Sequence, residues 1–369
     1  MSMQDPKVTV LMPVYNGEKY LRDAVLSILN QTFKDFEFLI INDGSTDNSL
    51  AILKTFQDSR VRVVNNDMNL QLPATLNKGL ELARGTYIAR MDCDDISLPE
   101  RLARQVECLD ANPDFGLCST DIVSINAQGQ VIDIPKDKIK GVPVEWRFFW
   151  ENPIKHPTVM LRRSILADHN LTYRDIFAED FDLWCRLALI TRLRKLDYPL
   201  LHYRMAPESI FHSNPTPHFR QAILSSRTLA AAISKTTCPA CQDDLTRFKS
   251  GIGQKPAVFE LSGVLQWVEI LLARAKDYWN WTEAEYRLAR LDAQDRLYRY
   301  LKHFPEHYFQ SYFKIWGVGK NRKPEPVHVH YLYCFVKKKF KKTVKRLIKK
   351  LIKKPLKRLK KRLRPKPHH

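Results

Sequence analysis

Apolar and polar positions follow two different periods along the N-terminal part of the chain. Continuous apolar runs, which are typical of strands buried on both faces, occur at residues 8–14, 36–41, 61–64 and 86–91. Apolar residues at helical spacing occur between and after these runs, near residues 20–30, 47–56, 73–83 and 99–109. This order of elements predicts an α/β fold with a mostly parallel sheet that carries helices on both faces.

The pattern changes in the second part of the chain. Short strands are predicted at residues 116–119 and 157–161, followed by a helix at 180–190. A proline-rich segment at residues 214–217 then precedes three predicted helices, at 219–234, 258–279 and 282–301. We therefore expect four regions: an α/β domain, a helical subdomain, a polar linker and a C-terminal segment, at residues 1–213, 214–319, 320–333 and 334–369.

The positive charge of the chain is concentrated in its last segment. The formal net charge is +20, yet residues 334–369 contain 18 Lys and Arg and no Asp or Glu. The remainder carries 42 basic and 40 acidic residues, so the globular part is nearly neutral. A basic surface that could bind an anionic partner is therefore expected only at the C-terminal segment.

The C-terminal segment also has apolar residues at helical spacing, up to an interruption at Pro355: Phe340, Val344, Leu347, Ile348, Leu351 and Ile352. A basic amphipathic helix of this kind lies on anionic membranes, where each basic residue contributes on the order of 1 kcal/mol. We expect residues 334–369 to bind an anionic membrane surface. Two alternatives for this segment remain open: it binds nucleic acid, which is the weaker choice of partner, or it is an inert solvated run.

Membrane contact is expected to be peripheral and on the cytoplasmic face. The charged residues Asp5 and Lys7 precede the first apolar run, which does not fit a signal peptide. The longest apolar stretch, residues 261–273, is interrupted by Gln266 and Glu269 and is too polar for a membrane span.

Cysteine usage fits a reducing compartment. The chain has seven cysteines without an even, regular spacing, so reduced thiols are expected. Cys238 and Cys241 have the spacing of half a zinc ribbon, but no second pair follows. A structural metal and ordinary loop cysteines both remain open for this pair.

Polar loops follow three of the predicted strands, and the third loop brings Asp92, Asp94 and Asp95 close together in sequence. In an open α/β sheet, ligands bind outside the carboxyl ends of the strands. Mg²⁺ and Mn²⁺ prefer oxygen ligands and are often shared between carboxylates and substrate phosphates. The pattern predicts a Mn²⁺ or Mg²⁺ site with a phosphate-bearing ligand. A solvated acidic turn is the alternative.

Four segments carry a family resemblance, in the order 12–18, 42–47, 89–102 and 178–184. They resemble the motifs of the family 2 glycosyltransferases, which are inverting enzymes of the GT-A type that use nucleotide sugars. The resemblance covers about the first 205 residues and implies a Rossmann-like GT-A sheet.

The resemblance also implies a nucleotide pocket. Pro13, Tyr15 and Glu18 match family positions that line this pocket, although turn or core packing would also account for Pro13 and Tyr15. Asp43 matches the position that accepts a hydrogen bond from the base. Because a carboxylate can accept the imide N–H of uracil or thymine but not pair with that edge of cytosine, UDP or dTDP sugars are favoured as donors.

The Asp-x-Asp segment matches the family's metal motif. The resemblance implies that Asp94 ligates the metal and that Asp92 lies at the ribose and metal edge of the donor. Arg90 matches a donor-binding position, and Asp95 also follows the family pattern. An ion pair between Asp95 and Arg101 would be a simpler explanation for Asp95.

The resemblance implies that the last matching segment supplies the reaction's base. Asp180 matches the family's general base, and Glu179 is expected to bind the acceptor or orient Asp180. Asp182 is predicted to be a surface or hydrogen-bonding residue of the same helix. Trp184 is expected in the core, with a sugar platform as the alternative, and His156 fits either the core or the acceptor site.

The chain departs from the family pattern at two places. Relatives often have Tyr-Arg-x-His at the position of residues 203–206, but this chain lacks the histidine. A histidine there could bind the metal or the diphosphate, and His202 or His212 could substitute for it. Gln71 also stands where glycine is frequent, which leaves the shape of its loop open.

The resemblance implies inverting, metal-dependent transfer of a hexose or N-acetylhexosamine from a nucleotide-diphosphate sugar to a glycan or lipid-linked saccharide, as in bacterial lipopolysaccharide or capsule assembly. A sugar nucleotidyltransferase is one alternative, although the loop after the first strand lacks the Gly-rich, basic character of a triphosphate loop. A non-catalytic membrane or nucleic-acid adaptor is the other, and the joint presence of Asp92, Asp94 and Asp180 speaks against it.

Overall fold

A computed structural model of the protein describes residues 5–134, 140–205, 215–235 and 261–301. The predictions for His212, for Cys238 and Cys241, for the linker at 320–333 and for the basic segment at 334–369 lie outside these residues.

Nine strands occur in the described chain: β1 (Val8–Val14), β2 (Phe36–Asn42), β3 (Val61–Asn65), β4 (Tyr87–Arg90), β5 (Ile96–Ser97), β6 (Phe115–Ile125), β7 (Val131–Asp133), β8 (Met160–Arg162) and β9 (Arg192–Arg204). The helices are α1 (Leu21–Leu29), α2 (Ser49–Leu53), α3 (Leu72–Leu82), α4 (Arg101–Ala111), α5 (Val144–Arg147), α6 (Arg163–Asp168), α7 (Glu179–Ala188), α8 (Pro215–Ser234), α9 (Leu261–Tyr278) and α10 (Glu283–Leu301).

All nine strands form one mixed sheet in the order β3-β2-β1-β4-β8-β6-β9-β5, with β7 paired to β6. β1 is parallel to both β2 and β4, and β2 is parallel to β3. β8 is antiparallel to both of its neighbours, β4 and β6, whereas β6 and β9 are parallel. The predicted mostly parallel α/β sheet is confirmed, and the antiparallel strands are β5, β7 and β8.

The core of the molecule lies around the first parallel strands. Every residue of β1 and β2 is buried, as expected for strands covered by helices on both faces. α1 packs one apolar face onto them through Leu21, Ala24, Val25 and Ile28. α3 crosses β1 so closely that a Cβ at Gly79 would lie 2.3 Å from a Leu11 methyl carbon, so any larger residue would force the buried Leu11 side chain to move.

The second half of the sheet differs from the predicted elements. β9 is 13 residues long and was not predicted, because charged residues such as Arg194 and Lys195 interrupt its apolar pattern. β8 begins only at Met160, because His156–Thr158 forms a turn of 3₁₀ helix before it. The helices predicted at 219–234 and 282–301 are present as α8 and α10, with ends shifted by a few residues.

Among the described residues, 5–235 and 266–292 belong to one compact unit, and 261–265 with 293–301 belong to a second. The first unit therefore contains the sheet together with α8 and most of α9. None of the helices in the described chain is long and apolar enough to cross a membrane.

Candidate active site

The first two loops at the carboxyl ends of the strands are tied together by hydrogen bonds. Three consecutive amides of the loop after β1, at residues 16–18, donate to the side chains of Ser45, Ser49 and Asp47, at 3.1, 2.9 and 3.0 Å. In return, Glu18 Oε2 accepts from the amide of Asn48 at 2.9 Å. Glu18, a predicted nucleotide residue, thus also fixes the start of α2.

The other two residues predicted in the first loop have different environments. Pro13 is buried within β1, opposite Ile41. Tyr15 follows the end of the strand with 49% of its surface exposed, which makes its ring accessible to a ligand. Gly17 reaches the third loop, since a Cβ at this position would lie 2.9 Å from Cys93 Sγ.

Asp43 lies at the end of β2 and is almost fully buried, with 4% exposed. Its Oδ1 accepts hydrogen bonds from Asn66 Nδ2 at 2.7 Å and from the Leu70 amide at 2.9 Å. The remaining oxygen, Oδ2, has no hydrogen-bond partner within the described part of the chain. Asp43 is therefore held in place by one oxygen and retains the other as an acceptor.

The loop before α3 packs tightly beside Asp43. A Cβ at Gly44, whose φ is +68°, would lie 2.5 Å from the Met68 carbonyl carbon. Gln71 has φ 72° and ψ 159°, a region that is essentially restricted to glycine and costs about 1–3 kcal/mol for other residues. Gln71 thus adopts the backbone conformation that a glycine would adopt in this loop, and its backbone is strained.

Three carboxylates follow β4, and one oxygen from each of Asp92, Asp94 and Asp95 lies within 4.8 Å of the others. Asp95 is buried, with its Oδ1 accepting from the Arg204 amide at 2.8 Å. Its Oδ2 is buried and lacks a partner among the described residues. Since a buried carboxylate oxygen without a partner is unfavourable, a cation would stabilise this arrangement.

The surrounding arginines hold the cluster without neutralising all of it. Arg90 is buried and forms an ion pair with Asp92. Arg204 Nε donates to the Asp94 carbonyl at 2.8 Å. The ion pair between Asp95 and Arg101, the alternative explanation for Asp95, is absent from the described structure. The Arg101 guanidinium donates instead to the Arg90 carbonyl at 2.6 Å and to Gln105.

Burial and the neighbouring charges raise the pKa values of two carboxylates in the cluster. Burial, followed by the charge of Asp92, raises the pKa of Asp94 to about 6. Burial and both neighbouring carboxylates raise the pKa of Asp95 well above its ordinary value. A divalent cation would reverse these shifts by favouring the ionised forms. The oxygen-only donor set and the orphaned Asp95 oxygen fit Mn²⁺ or Mg²⁺.

A second acidic group, Glu179 and Asp180, begins α7. It follows Ala178, which is in the left-handed conformation with φ 54° and ψ 42°. Asp180 Oδ1 accepts from the Phe181 amide at 2.6 Å, and Asp180 Oδ2 accepts from Asn152 Nδ2 at 3.2 Å. Burial raises the pKa of Asp180 above its ordinary value. Asp180 is thus oriented and has increased basicity.

Glu179 faces a buried histidine. Its Oε1 lies 3.8 Å from His156 Nδ1, and His156 Nε2 lies 3.0 Å from the Tyr173 hydroxyl. Burial, followed by the charge of Asp180, raises the pKa of Glu179 to about 7. Burial lowers the pKa of His156 well below its ordinary value, so this imidazole is neutral at pH 7.

One pair of hydrogen bonds joins the segment before the acidic pair to helix α3. The Tyr173 amide donates to Asn77 Oδ1 and Asn77 Nδ2 donates to the Tyr173 carbonyl, both at 2.8 Å. The next residue of α3, Lys78, donates to Asn66 Oδ1 at 2.6 Å. Asn66 also donates to Asp43, so α3 contacts the surroundings of both predicted sites.

Two other residues of α7 are structural. Trp184 is fully buried, with its ring edge-on to His156 at 5.7 Å between centroids. Asp182 is also buried, at 5% exposed, and not a surface residue; it accepts from Arg186 at 2.8 Å. Trp184 therefore belongs to the core, as predicted, and Asp182 anchors the helix.

The structure brings Asp92, Asp94 and Asp95 together but does not place His202 among the candidate ligands found in the described chain. Sequence reasoning missed the supporting residues Asn66, Asn152, Tyr173 and Arg204. Their side chains contact the site from loops and strands with no distinctive motif. The one available signal was the Tyr-Arg pair at residues 203 and 204, which matches part of a family motif.

Comparisons with known proteins identify the family of this chain. The model of the family described as glycosyl transferase family 2 matches residues 9–168. An uncharacterised glycosyltransferase of Methanocaldococcus jannaschii is 35% identical over 209 residues, covering 55% of this chain and 72% of the relative. The O-antigen biosynthesis glycosyltransferase WbnJ of Escherichia coli is 32% identical over 212 residues, covering 55% of this chain and 81% of WbnJ.

A solved structure shows the same fold. The crystal structure of S. aureus TarS 1–349 in complex with UDP-GlcNAc has a TM-score of 0.53 and 18% identity, over 77% of this chain and 90% of that chain. The predicted GT-A fold is confirmed, and so is the predicted class of enzyme. This chain belongs to glycosyl transferase family 2.

Proposed function

We propose that this glycosyltransferase transfers a hexose or N-acetylhexosamine from a UDP sugar to a hydroxyl group of a glycan acceptor, with inversion and with a divalent metal. The observation that carries the proposal is the presence of two separate clusters of acidic residues at one edge of the sheet. One group, residues 92–95, clusters as a cation site does. The other, Glu179 and Asp180, has the raised pKa values suited to a base.

The donor's nucleotide binds between the first two loops. Asp43 Oδ2 accepts the imide N–H of uracil, while its Oδ1 remains bonded to Asn66 and Leu70. The exposed ring of Tyr15 stacks on the base or ribose. A complex of TarS with UDP-GlcNAc supports UDP as the nucleotide, since TarS shares this fold.

Asp94 and Asp92 hold the metal, with Arg90 behind Asp92. When bound, Mn²⁺ or Mg²⁺ supplies charge neutralisation for the leaving diphosphate. Asp95 supports the same loop through its bond from the Arg204 amide. Arg90 also offsets the charge of Asp92 through their ion pair.

Asp180 removes the proton from the acceptor hydroxyl. Its bonds from Asn152 and from the Phe181 amide fix the direction of its oxygens. A general base of this kind contributes roughly 10²- to 10⁴-fold to the rate. Glu179 orients the acceptor or Asp180 and is itself held near the neutral His156.

The experiment that tests this function is calorimetric titration of the full chain with UDP, dTDP, GDP and CDP, with and without Mn²⁺. We expect UDP or dTDP to bind only weakly without Mn²⁺ and at least about tenfold more tightly with it, as a metal shared between carboxylates and phosphates requires. Asp94→Asn should remove this gain. Asp168→Asn, which changes an exposed carboxylate outside the site, should retain it.

Tight binding of GDP or CDP in place of UDP would refute the role of Asp43. Mn²⁺-dependent binding that survives Asp94→Asn would refute the metal site. Absence of binding for all four nucleotides would favour the adaptor alternative.

The acceptor is a glycan or lipid-linked saccharide at the cytoplasmic face of a membrane. The O-antigen relative supports a glycan acceptor. Residues 334–369, with 18 basic and no acidic residues, bind the anionic membrane surface. Deleting them should release the protein from vesicles that contain phosphatidylglycerol and leave UDP binding unchanged. Unchanged vesicle binding would refute this assignment.

A further inference from the structure

Helix α8 contacts the loop that precedes the catalytic pair. His218 is in the first turns of α8, far along the chain from the family's motifs. Its Nδ1 accepts a hydrogen bond from the Ala178 amide at 3.2 Å. Its ring also lies edge-on to Phe177, with 5.0 Å between centroids and 68° between planes. One side chain of α8 thus contacts both residues directly before Glu179.

The contacted residue has an unfavourable backbone conformation. Ala178 has φ 54° and ψ 42°, and the left-handed region costs a residue with a Cβ roughly 1–2 kcal/mol. Such a conformation persists only when surrounding contacts hold it. Because Ala178 is the N-cap of α7, its dihedral angles determine how Glu179 and Asp180 leave the loop.

We propose that His218 is a positioning residue for the sugar-transfer reaction, which holds Ala178 in the left-handed conformation and thereby orients the carboxylate of Asp180. This proposal rests on the proposed role of Asp180 as the base. His218 does not touch the reacting atoms in this arrangement. Its effect is transmitted through the backbone at residue 178.

The chemistry of the histidine fits this role. Only a neutral imidazole with its proton on Nε2 can accept at Nδ1. Burial lowers the pKa of His218, although the charge of Asp180 opposes this shift. The neutral ring is thus favoured at pH 7.

Other contacts from the C-terminal helices hold the rest of α7. Ser225 Oγ of α8 donates to Asp182 Oδ1 at 3.3 Å. At the other end of α7, Trp279 Nε1 donates to the Ala188 carbonyl at 2.7 Å and the Tyr278 hydroxyl donates to the Leu189 carbonyl at 2.8 Å. With its C-terminal end fixed in this way, α7 has little freedom to absorb a change at Ala178.

The test compares His218→Leu with His218→Asn. Asparagine places an oxygen where the histidine has Nδ1 and can accept the same hydrogen bond, whereas leucine places a methyl group there. The exposed Arg220 lies on the same helix, and Arg220→Ala is the matched control. The measured quantities are kcat and KM for UDP release from a UDP sugar, Kd for UDP, and amide hydrogen exchange of the peptide around residue 178.

We expect His218→Leu to lower kcat on the order of tenfold, because small misplacements of a catalytic group are costly, and to leave the Kd of UDP within about twofold. His218→Asn should recover most of the lost rate. Exchange around Ala178 should be faster in His218→Leu only. Ala178→Gly in the His218→Leu background should restore part of kcat, because glycine adopts this conformation without strain.

A His218→Leu enzyme with wild-type kcat would overturn the proposal. So would equal losses in His218→Leu and His218→Asn, since ring packing alone would then explain the effect. Failure of the proposed function looks different: the wild type would release UDP from no UDP sugar. Faster amide hydrogen exchange around residue 178 in His218→Leu would then still show that His218 contacts Ala178. The positioning role in catalysis would nevertheless be refuted.

Discussion

The two acidic groups of this glycosyltransferase are held in different ways. The group at residues 92–95 follows a parallel strand, and the loops beside it are joined by backbone amides that bond to nearby polar side chains. Glu179 and Asp180 begin a helix, and their neighbours Asn152, His156 and Tyr173 come from loops and a short turn of 3₁₀ helix.

This difference separates two physical problems. The group proposed to bind the donor needs several negative charges to remain close together, which a cation and Arg90 can offset. The group proposed to act on the acceptor needs one carboxylate with raised basicity, which burial provides. Strand ends are sufficient for the first task, whereas the second depends on side chains brought together from distant parts of the chain.

The sharpest test of this separation is Asp180→Asn. We expect kcat to fall by roughly 10²- to 10⁴-fold, because the amide cannot accept the acceptor's proton, while UDP binding stays near the wild-type value. Steady-state transfer and calorimetry measure the two effects. Asp94→Asn should show the opposite pattern in binding, and Asp168→Asn is the neutral control. Loss of UDP affinity in Asp180→Asn would place this residue in the nucleotide site.

Asn77→Ala tests the link between the two regions. It removes both hydrogen bonds to Tyr173, each of which contributes about 0.5–1.5 kcal/mol net. Thermal unfolding should show a Tm lower by several degrees, and kcat should fall because Tyr173 contacts His156 next to Glu179. Glu81→Ala, an exposed position on the same helix, is the control. Unchanged kcat in a destabilised variant would show that the two regions act independently.

Glu179→Gln tests the role of burial through pH. The folded protein raises the pKa of Glu179 to about 7 from an ordinary value of 4.5. Between these values the folded state binds more protons than the unfolded state, so Glu179 lowers stability as pH rises through this window. The variant should therefore gain Tm relative to the wild type at pH 8 but not at pH 4.

The same variant has a kinetic expectation. The wild-type kcat profile should contain an inflection near pH 7 from Glu179, and Glu179→Gln should lack it. Equal Tm differences at pH 4 and pH 8 would contradict the raised pKa.

The smallest expected effect is in the donor region. Gln71→Gly should raise the free energy of unfolding by about 1 kcal/mol, because glycine relieves the strain at φ 72°. Gln71→Ala, which keeps a Cβ, should give no gain. Urea unfolding of the two variants measures the difference, and equal stabilities would show that the backbone at this position is not strained.

The comparison also explains how far the sequence could predict the structure. Strands β1, β2 and β4 are short apolar runs buried on both faces, and β3 is a partly buried apolar run, so periodicity alone identified all four. Asp92, Asp94 and Asp95 were predicted to lie together because the loop after a strand must lie at the sheet edge. β9 was missed because its exposed face is charged and its pattern is broken.

The supporting residues of the acidic pair at α7 could not be predicted for a different reason. Asn152, Tyr173 and His218 are separated from Asp180 by loops or by a whole strand, and nothing in their local sequence indicates their partners. Ala178 in the left-handed conformation is a further example, because alanine gives no sign of it. Such contacts depend on the packed structure and not on local propensity.

The reversed direction of β8 has a consequence for finding functional residues in this chain. Ala89 near the end of β4 pairs with Met160 at the start of β8, so the ligand edge of the sheet meets β8 at its first residue. His156 reaches the site because it precedes a strand. In this chain, side chains therefore reach the site from segments upstream of an antiparallel strand as well as from segments downstream of parallel ones.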